Sequence, residues 1–340
     1  MTNDTIQGVQ PQAIEAFPLR HQVLFGFLRQ ARYVAGCIIV GIFFLWLAGK
    51  VIPSPNMDGT RALAAGPAVS LMAELAMLGG LLVAIVIGTL LTWPDAPHAG
   101  LFIASVGLVF LACHWGSITL LLAVDHGHLQ RAYRTVALQN VFWIFYILFG
   151  EIISRVIYEL IGSRNWPIYL GLPWPVQSPA PGTVLPDAAY PSCAKILIFD
   201  PPCKPRRLAE RIGQNLLAFA TTAIIAVLVL FLLLKSQQPG QAIFACGVAF
   251  AAGAFISALA APQADLWAIW ITPPCIAAVG GLLANYFPQP YPGHAGLFLV
   301  RTLPIYYASA GLAGAIVGYY AAVRLHYRKA VDLCTSSGTA

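Results

Sequence analysis

The chain has 340 residues, of which 59% are hydrophobic and only 9% are charged, and its mean hydropathy is +0.74. Soluble domains carry about 25% charged residues, so this chain lacks the charge to cover a water-exposed globular surface. Its composition excludes an ordinary soluble protein. The net charge of +6 is explained by basic residues that flank membrane spans, and we expect no nucleic acid among the partners.

Eight stretches of the chain are apolar enough, at roughly 20 residues each, to cross a bilayer as helices. None shows the alternation over about ten residues that marks outer-membrane strands. The sequence therefore predicts an all-α fold, a polytopic integral membrane bundle with eight transmembrane helices. The predicted spans are Tyr33–Ile52, Pro67–Trp93, Gly100–Val124, Val136–Ile161, Ile212–Leu234, Gln241–Ala261, Leu266–Phe287 and Ile305–Leu325.

The spans divide the chain into five parts. These are a leader at 1–32, spans one to four at 33–161, a Pro-rich linker at 162–211, spans five to eight at 212–327 and a short tail at 328–340. The leader has apolar residues that could share a helix face bordered by basic residues. It is either a short helix lying on the membrane surface or a plain basic flank of the first span.

The distribution of Lys and Arg predicts the orientation. With an even number of spans both termini lie on one side, and that side carries twelve Lys and Arg residues against six on the other. Basic residues accumulate in cytoplasmic loops, so we expect both termini in the cytoplasm. Compact loops and the lack of a recognisable targeting signal favour a bacterial cytoplasmic (inner) membrane.

Spans two to four carry polar residues that could form a site. Ionisable groups inside a bilayer are costly and usually face the protein interior or a functional path. Counted at 1.5 Å per residue, Glu74 in span two lies about 10 Å and His114 in span three about 15 Å below the non-cytoplasmic surface. A Glu74–His114 contact near Asn140 of span four is therefore predicted. It is a proton relay, because histidine titrates near neutral pH, or a structural hydrogen-bonded pair.

A metal site is a third interpretation of the same region. Asp125, His126 and His128 follow span three, and imidazole with carboxylate suits zinc, copper or iron. His-x-His spacing is short and common, so a solvated loop explains it as well. The sequence predicts no cofactor beyond this candidate transition metal.

Span four has a charged face. Glu151, Arg155 and Glu159 recur every four residues, so they line one side of a helix, where opposite charges can pair. The set is a structural triad or an ion pair that breaks during transport.

The linker at 162–211 contains ten prolines, which prevent a continuous helix. Within it, residues 194–199 are predicted to form a short β-strand. The strand could pack on its own protein or add to an edge strand of a partner. Its partner-facing candidates are Lys195, Ile196, Leu197, Ile198 and Phe199.

The second half carries stripes of small residues at four-residue spacing, which lets membrane helices approach closely. They pack inside the protein or form a subunit interface. Span seven also contains Pro273 and Pro274, which remove backbone donors and should interrupt the helix. The stripe residues are Ala245, Ala249, Gly253 and Ser257 in span six and Ala310, Gly314 and Gly318 in span eight.

Three functions compete. The sequence favours a non-enzymatic integral membrane subunit or scaffold, because polar residues are sparse and no catalytic motif is present. A secondary transporter or channel is the alternative, resting on the intramembrane Glu, His and Arg residues, and a membrane metal-binding protein is the third. The expected partners are membrane lipids and either other membrane subunits or further copies of the chain.

Overall fold

The computed structural model describes residues 19–51, 71–92, 98–113, 129–163, 208–236, 238–262, 264–286 and 298–337. Within these ranges the chain forms α-helices, a 3₁₀ turn and a π-helical turn, and no strand. The predicted strand at 194–199 lies outside the described residues. The helices are α1 Leu19–Val51, α2 Leu71–Thr92, α3 Ala99–Cys113, α4 Leu129–Ser163, α5 Leu208–Leu233, α6 Pro239–Ala260, α7 Leu266–Trp270, α8 Thr272–Tyr286, α9 Pro304–Tyr306 and α10 Leu312–Ser337.

The predicted all-α membrane bundle is confirmed. Six helical stretches of the described chain are long and apolar enough to cross a membrane, and Leu78–Thr92 and Ala99–Cys113 are shorter apolar helices. Large apolar side chains such as Phe145, Leu216 and Phe244 lie exposed on the outside, as expected for helices surrounded by lipid. The protein is therefore an integral membrane protein.

Glycines set the helix contacts in the first half. A Cβ on Gly36 would lie 2.6 Å from Ile103, and one on Gly107 would lie 2.5 Å from Val40. Residue numbers rise together in these two contacts, so α1 and α3 run in the same direction.

α2 runs opposite to α1 and α3. Gly80 lies against Leu47 near the end of α1, whereas Gly88 lies against Gly100 near the start of α3. α4 follows the direction of α2, because Ile85 and Thr89 of α2 contact residues 150 and 154 of α4 in the same order.

In the second half, α6 lies between α5 and α10. Ser257 donates a hydrogen bond from Oγ to the Ala218 carbonyl at 2.9 Å, and a Cβ on Gly253 would lie 2.7 Å from the Thr222 carbonyl oxygen. These contacts run in opposite order along α5 and α6, so the two helices are antiparallel.

The small residues of α10 contact a different face of α6. Gly314 lies against the backbone of Gly247, and Gly318 lies against the backbone of Ala251. A side chain on either glycine would overlap the carbonyl oxygen of α6. The helices α6 and α10 are therefore parallel and in close backbone contact.

Two further contacts orient the halves. His98 bonds Glu151 of α4 and touches Trp270 at the end of α7, whereas Ala137 of α4 lies against Gly281 of α8. α4 therefore runs opposite to α7 and α8.

A polar contact between Arg211 and Asp265 joins the start of α5 to the start of α7. It follows that α1, α3, α5 and α7 all begin at one end of the bundle, which we call the basal end. The helices α2, α4, α6 and α10 run towards the basal end. Each described span thus reverses the direction of the one before it.

Two spans depart from regular α-helix. In span seven, α7 ends at Trp270 and α8 begins at Thr272. Pro273 and Pro274 have no N–H to bond the carbonyls of the preceding turn, so the predicted interruption is present. In span eight, residues 307–311 form a π-helical turn, and a Cβ on Gly311 would lie 3.1 Å from both Phe250 and Pro273.

Candidate functional site

A buried histidine–carboxylate pair joins α3 to α4 near the basal end. His98, which directly precedes α3, is 1% exposed, and Glu151 of α4 is 6% exposed. His98 Nδ1 lies 2.9 Å from Glu151 Oε2. With the carboxylate ionised, Nδ1–H is the donor, which fixes the tautomer of a neutral imidazole.

Arg155 contacts the second oxygen of the same carboxylate. Its Nε donates to Glu151 Oε1 at 2.5 Å, across one turn of α4. The Arg155 side chain is 48% exposed, so this charge reaches the edge of the bundle while Glu151 stays inside. Glu151 therefore accepts one hydrogen bond from its own helix and one from another.

Close packing of α2 on α3 and α4 holds this pair in place. Gly100 allows α3 to approach Thr89, because any side chain there would overlap the threonine hydroxyl. Thr89 Oγ1 bonds the Ile85 carbonyl at 2.8 Å and lies 3.0 Å from Ser154 Oγ. Either hydroxyl can be the donor in this second contact, which links α2 to α4 one turn beyond Glu151.

Trp270 closes the site from α7. Its side chain is fully buried, and its ring centroid lies 4.7 Å from that of His98 at an interplanar angle of 71°. Edge-to-face contacts of this kind are favourable for aromatic rings. Within the described part of the chain, the indole Nε1–H of Trp270 has no hydrogen-bond partner.

The charges of the cluster balance in one protonation state. With His98 neutral, Glu151 and Arg155 cancel. With a proton on His98, the cluster carries one net positive charge. A buried charge is tolerated when it is paired and hydrogen-bonded, and Glu151 provides such a partner for the His98 ring. Chemically, the arrangement places an imidazole and a carboxylate in hydrogen-bond contact inside the bundle.

A second polar contact lies at the start of α5 and α7. Arg211 Nε and Nη2 donate to the two carboxylate oxygens of Asp265 at 2.9 and 3.0 Å. Asn215 Nδ2 donates to Asp265 Oδ2 at 2.8 Å, and Asn215 Oδ1 accepts from the Asp265 backbone N–H at 2.7 Å.

Asp265 stays ionised because of this contact. Burial raises the pKa of its carboxyl, but the hydrogen bonds from Arg211 and Asn215 and the Arg211 charge lower it by more, so the pKa lies below its ordinary value of 3.8. Asp265 is therefore a charged anchor rather than a proton carrier near neutral pH.

The structure places some of the predicted site residues and leaves others aside. Asn140 is fully buried on α4 and donates from Nδ2 to the Val136 carbonyl at 2.9 Å. Among the described residues its Oδ1 has no partner, and neither has the Tyr146 hydroxyl. Both residues lie on α4 between its start and Glu151.

Other predicted residues lie outside the described part of the chain. The backbone of Glu74 in α2 and of Glu159 in α4 is described, but their side chains are not. The predicted contact of Glu74 with His114 therefore stays a prediction. In the described ranges no three His, Cys, Asp or Glu residues are grouped so as to hold a metal ion. The residues that are not described at all are His114, Asp125, His126, His128 and 195–199.

His98 was missed in the sequence because it lies just outside the apolar run that begins at Gly100. The sequence contains no signal for the pair. Span three begins, and span four ends, on the same side of the membrane, but His98 lies two residues outside the predicted start of span three, whereas Glu151 lies ten residues, roughly 15 Å, inside the predicted end of span four.

The comparisons with known proteins identify no relative. No protein-family model matches the chain, and neither a curated protein nor a solved structure matches it significantly. The proposal below therefore rests on the site alone.

Proposed function

We propose that this chain is a membrane transport protein in which His98 and Glu151 bind and release a proton as a solute crosses the bundle. The observation that carries this proposal is the buried His98–Glu151 pair at 2.9 Å. Ionisable groups at such positions are expensive to keep inside a membrane and commonly mark substrate paths or proton relays. Imidazole is the side chain that changes charge between pH 5 and 8.

Further features of the described chain support transport. Transport sites in carriers are often formed by discontinuous helices, and both span seven and span eight are irregular next to the interior of the bundle. Buried polar atoms without a described partner, on Asn140, Tyr146 and Trp270, are available to water or a solute. They lie on α4, which carries Glu151, and on α7, whose Trp270 contacts the ring of His98.

The small-residue stripes give no support to a subunit interface, because other helices of the same chain cover them. Gly314 and Gly318 contact α6, and Gly253 contacts α5, so these surfaces are used inside the protein. A structural subunit of a larger complex is the second candidate. It is favoured by an outward aromatic row on α4, where Phe142, Phe145 and Phe149 are exposed, although lipid contact accounts for such a row equally well.

The metal-binding hypothesis depends on Asp125, His126 and His128 and stays a prediction. For localisation we propose the bacterial cytoplasmic membrane, with the basal end facing the cytoplasm, because the basic residues predominate at that end. Lipids would surround the exposed apolar faces.

The test of transport uses purified protein in liposomes with a trapped pH-sensitive dye. Pools of small solutes are added, and wild-type protein should give solute-dependent proton movement with at least one pool. Glu151→Gln and His98→Gln should reduce this flux by about a hundredfold, the low end of the cost of removing a proton-transferring group. Glu210→Gln, the same change at an exposed acidic residue of α5, should retain it.

Gentle extraction of the native protein, followed by mass spectrometry of co-purifying proteins, separates the two candidates. A flat dye signal with every pool, together with a stoichiometric set of partners, would replace transport by the structural-subunit function. A lone protein or homo-oligomer with active flux would support transport.

A further inference from the structure

We infer that the break in span seven is a joint that couples the protonation of His98 to the π-helical turn of span eight, with Trp270 as the positioning residue. The inference rests on the proposed function, because it names the movement that proton binding would drive. Two contacts and the backbone between them carry it, and all of their residues are described by the structure.

The first contact is that of Trp270 with His98. The indole ring is fully buried and meets the imidazole edge to face. An aromatic ring interacts differently with a cation than with a neutral group, because its quadrupole attracts positive charge at the face and repels it at the edge. A proton on His98 therefore changes the preferred position of Trp270.

The second element is the backbone that follows Trp270. Ile271 separates α7 from α8, and the Pro273 and Pro274 nitrogens donate no hydrogen bonds. The carbonyls of Ile269 and Trp270 consequently lack N–H donors four residues later, whereas Ile271 N–H bonds the Trp267 carbonyl at 3.0 Å and Cys275 N–H bonds the Ile271 carbonyl at 3.1 Å. Two of the ladder bonds that oppose bending are therefore missing at the joint.

The third contact links the joint to span eight. Gly311, the last residue of the π-helical turn, lies so close to Pro273 that an added Cβ would be 3.1 Å from the proline ring. The same position is 3.1 Å from Phe250 of α6. π-helical turns occur frequently at functional sites. Pro273 has little free space to move here. A displacement of Pro273 would therefore also displace the π-helical turn.

Few charged groups lie around His98 in the described chain. α4 contributes Glu151 and Arg155. α1 runs parallel to α3 and brings Arg32 to the same level, one residue before Tyr33, whose ring contacts Phe102. The described side chains of α2, residues 78–92, include no ionisable group.

The remaining charges near the joint are paired with each other. α7 is preceded by Asp265, which is held by Arg211 and Asn215 of α5, and α8 contributes no charged residue. Beside the joint, His98 is therefore the described imidazole, the type of side chain that changes charge between pH 5 and 8.

The experiment is hydrogen–deuterium exchange of the full chain in lipid nanodiscs at pH 8 and pH 5, the range in which imidazole gains a proton. Rates are corrected for the intrinsic pH dependence of exchange. In wild-type protein, protection of peptides covering 271–275 and 307–311 should change by about fivefold or more, the lower bound of typical coupling between sites. His98→Gln should abolish the change at both segments.

Trp270→Leu, which removes the aromatic ring, should uncouple the two segments from pH while leaving the His98–Glu151 contact in place, and Trp270→Phe, which keeps a smaller aromatic ring, should weaken the response. Trp267→Phe is the matched control, since Trp267 lies on the same short helix with 41% of its surface exposed, and it should respond as wild type does. If Trp270→Leu fails to accumulate, Trp270→Phe decides through a response weaker than that of wild-type protein, because phenylalanine keeps an aromatic side chain in the core.

Unchanged protection in wild-type protein between the two pH values would overturn the inference. So would a full response in both Trp270 variants. If proton-coupled flux is observed but protection does not depend on pH, the joint is rejected and the proposed function stands. If protection depends on pH but no solute gives flux, transport is rejected and the joint stands.

Discussion

Glu151 accepts hydrogen bonds on both carboxylate oxygens, and the two donors differ in exposure. His98 is buried just before α3, whereas Arg155 reaches towards the edge of the bundle. Glu151 therefore links a buried donor to a donor at the edge of the bundle. Removing one partner of a buried charged pair typically costs about 3–5 kcal/mol, so the neutral substitution Glu151→Gln is preferable to truncation in any functional test.

The contact of Asp265 with Arg211 and Asn215 predicts a pH-dependent stability. Because the pKa of Asp265 is lowered by folding, its contribution is complete above the ordinary value of 3.8 and is lost as the pH falls through the lower folded pKa. Asp265→Asn should lower the unfolding temperature at pH 7 by roughly a few degrees. The difference from wild type should shrink below pH 3.8, because protonation then neutralises the wild-type residue too.

Thermal unfolding in detergent, followed by circular dichroism, measures this difference. Glu210→Gln serves as the control, since Glu210 is exposed in the same turn of α5 as Arg211. This substitution should leave the unfolding temperature unchanged. A difference between Asp265→Asn and wild type that persists unchanged at low pH would show that the carboxylate charge is not what stabilises this contact.

At the residue scale the sequence could predict partners within one helix but not across helices. The spacing of Glu151 and Arg155 indicates their pairing, because residues four apart are neighbours on any α-helix. The pairing of Glu151 with His98 depends on how α3 packs against α4, and helix packing in membranes is set by small residues and shape. No local pattern around His98 encodes that contact.

At the scale of the helices, α6 is the element on which the second half is assembled. It presents Gly253 and Ser257 to α5 and the backbone of Gly247 and Ala251 to α10. Without a hydrophobic driving force between helices in lipid, such close backbone packing is a main source of stability.

Substitutions at the α6–α10 contact should therefore destabilise the protein. Gly318→Ala places a methyl group where the Ala251 carbonyl oxygen lies, and the helices must move apart. We expect a loss of about 1–3 kcal/mol, as for overpacking in other cores, measured by unfolding in mixed detergent micelles. Gly314→Ala should behave in the same way at Gly247.

Gly213→Ala is the matched control. No atom of a described residue lies within 4 Å of a Cβ built on Gly213 of α5, so the change should be neutral or stabilising by up to about 1 kcal/mol through helix propensity. Equal effects of Gly318→Ala and Gly213→Ala would mean that the close contact is not a determinant of stability.

The sequence predicted where helices exist better than how they are deformed. Apolar length was sufficient to locate the spans, and the proline pair was sufficient to locate the break in span seven, because proline lacks the donor wherever it occurs. The π-helical turn at 307–311 has no such covalent cause. It arises where Gly311 meets Pro273 and Phe250, which are close only in the folded bundle.

At the scale of the whole molecule, the alternation of helix direction constrains the topology. The contacts place the start of α1 and the end of α10 at the basal end, as an even number of crossings requires. They also gather His98, Glu151, Arg155 and the Asp265 contact towards that end. Helix direction brings both ends of the chain to the basal end, and the excess of basic residues in cytoplasmic loops then predicts that this end faces the cytoplasm.

This topology predicts the sidedness of chemical labelling. In a variant without native cysteines, single cysteines are introduced at Glu210 and Arg324, which are exposed near the basal end, and at Lys235, which is exposed at the opposite end of α5. A membrane-impermeant thiol reagent added to right-side-out cells or vesicles should label Lys235→Cys. It should reach Glu210→Cys and Arg324→Cys only after the membrane is permeabilised, because the basal end, which carries most of the basic residues, is expected inside the cell.

Labelling of Glu210→Cys and Lys235→Cys from the same side would mean that α5 does not cross the membrane, and the alternation of helix direction would fail at that helix. Labelling of all three in the reverse pattern would keep the alternation and place the basal end, with its proton pair, outside the cytoplasm.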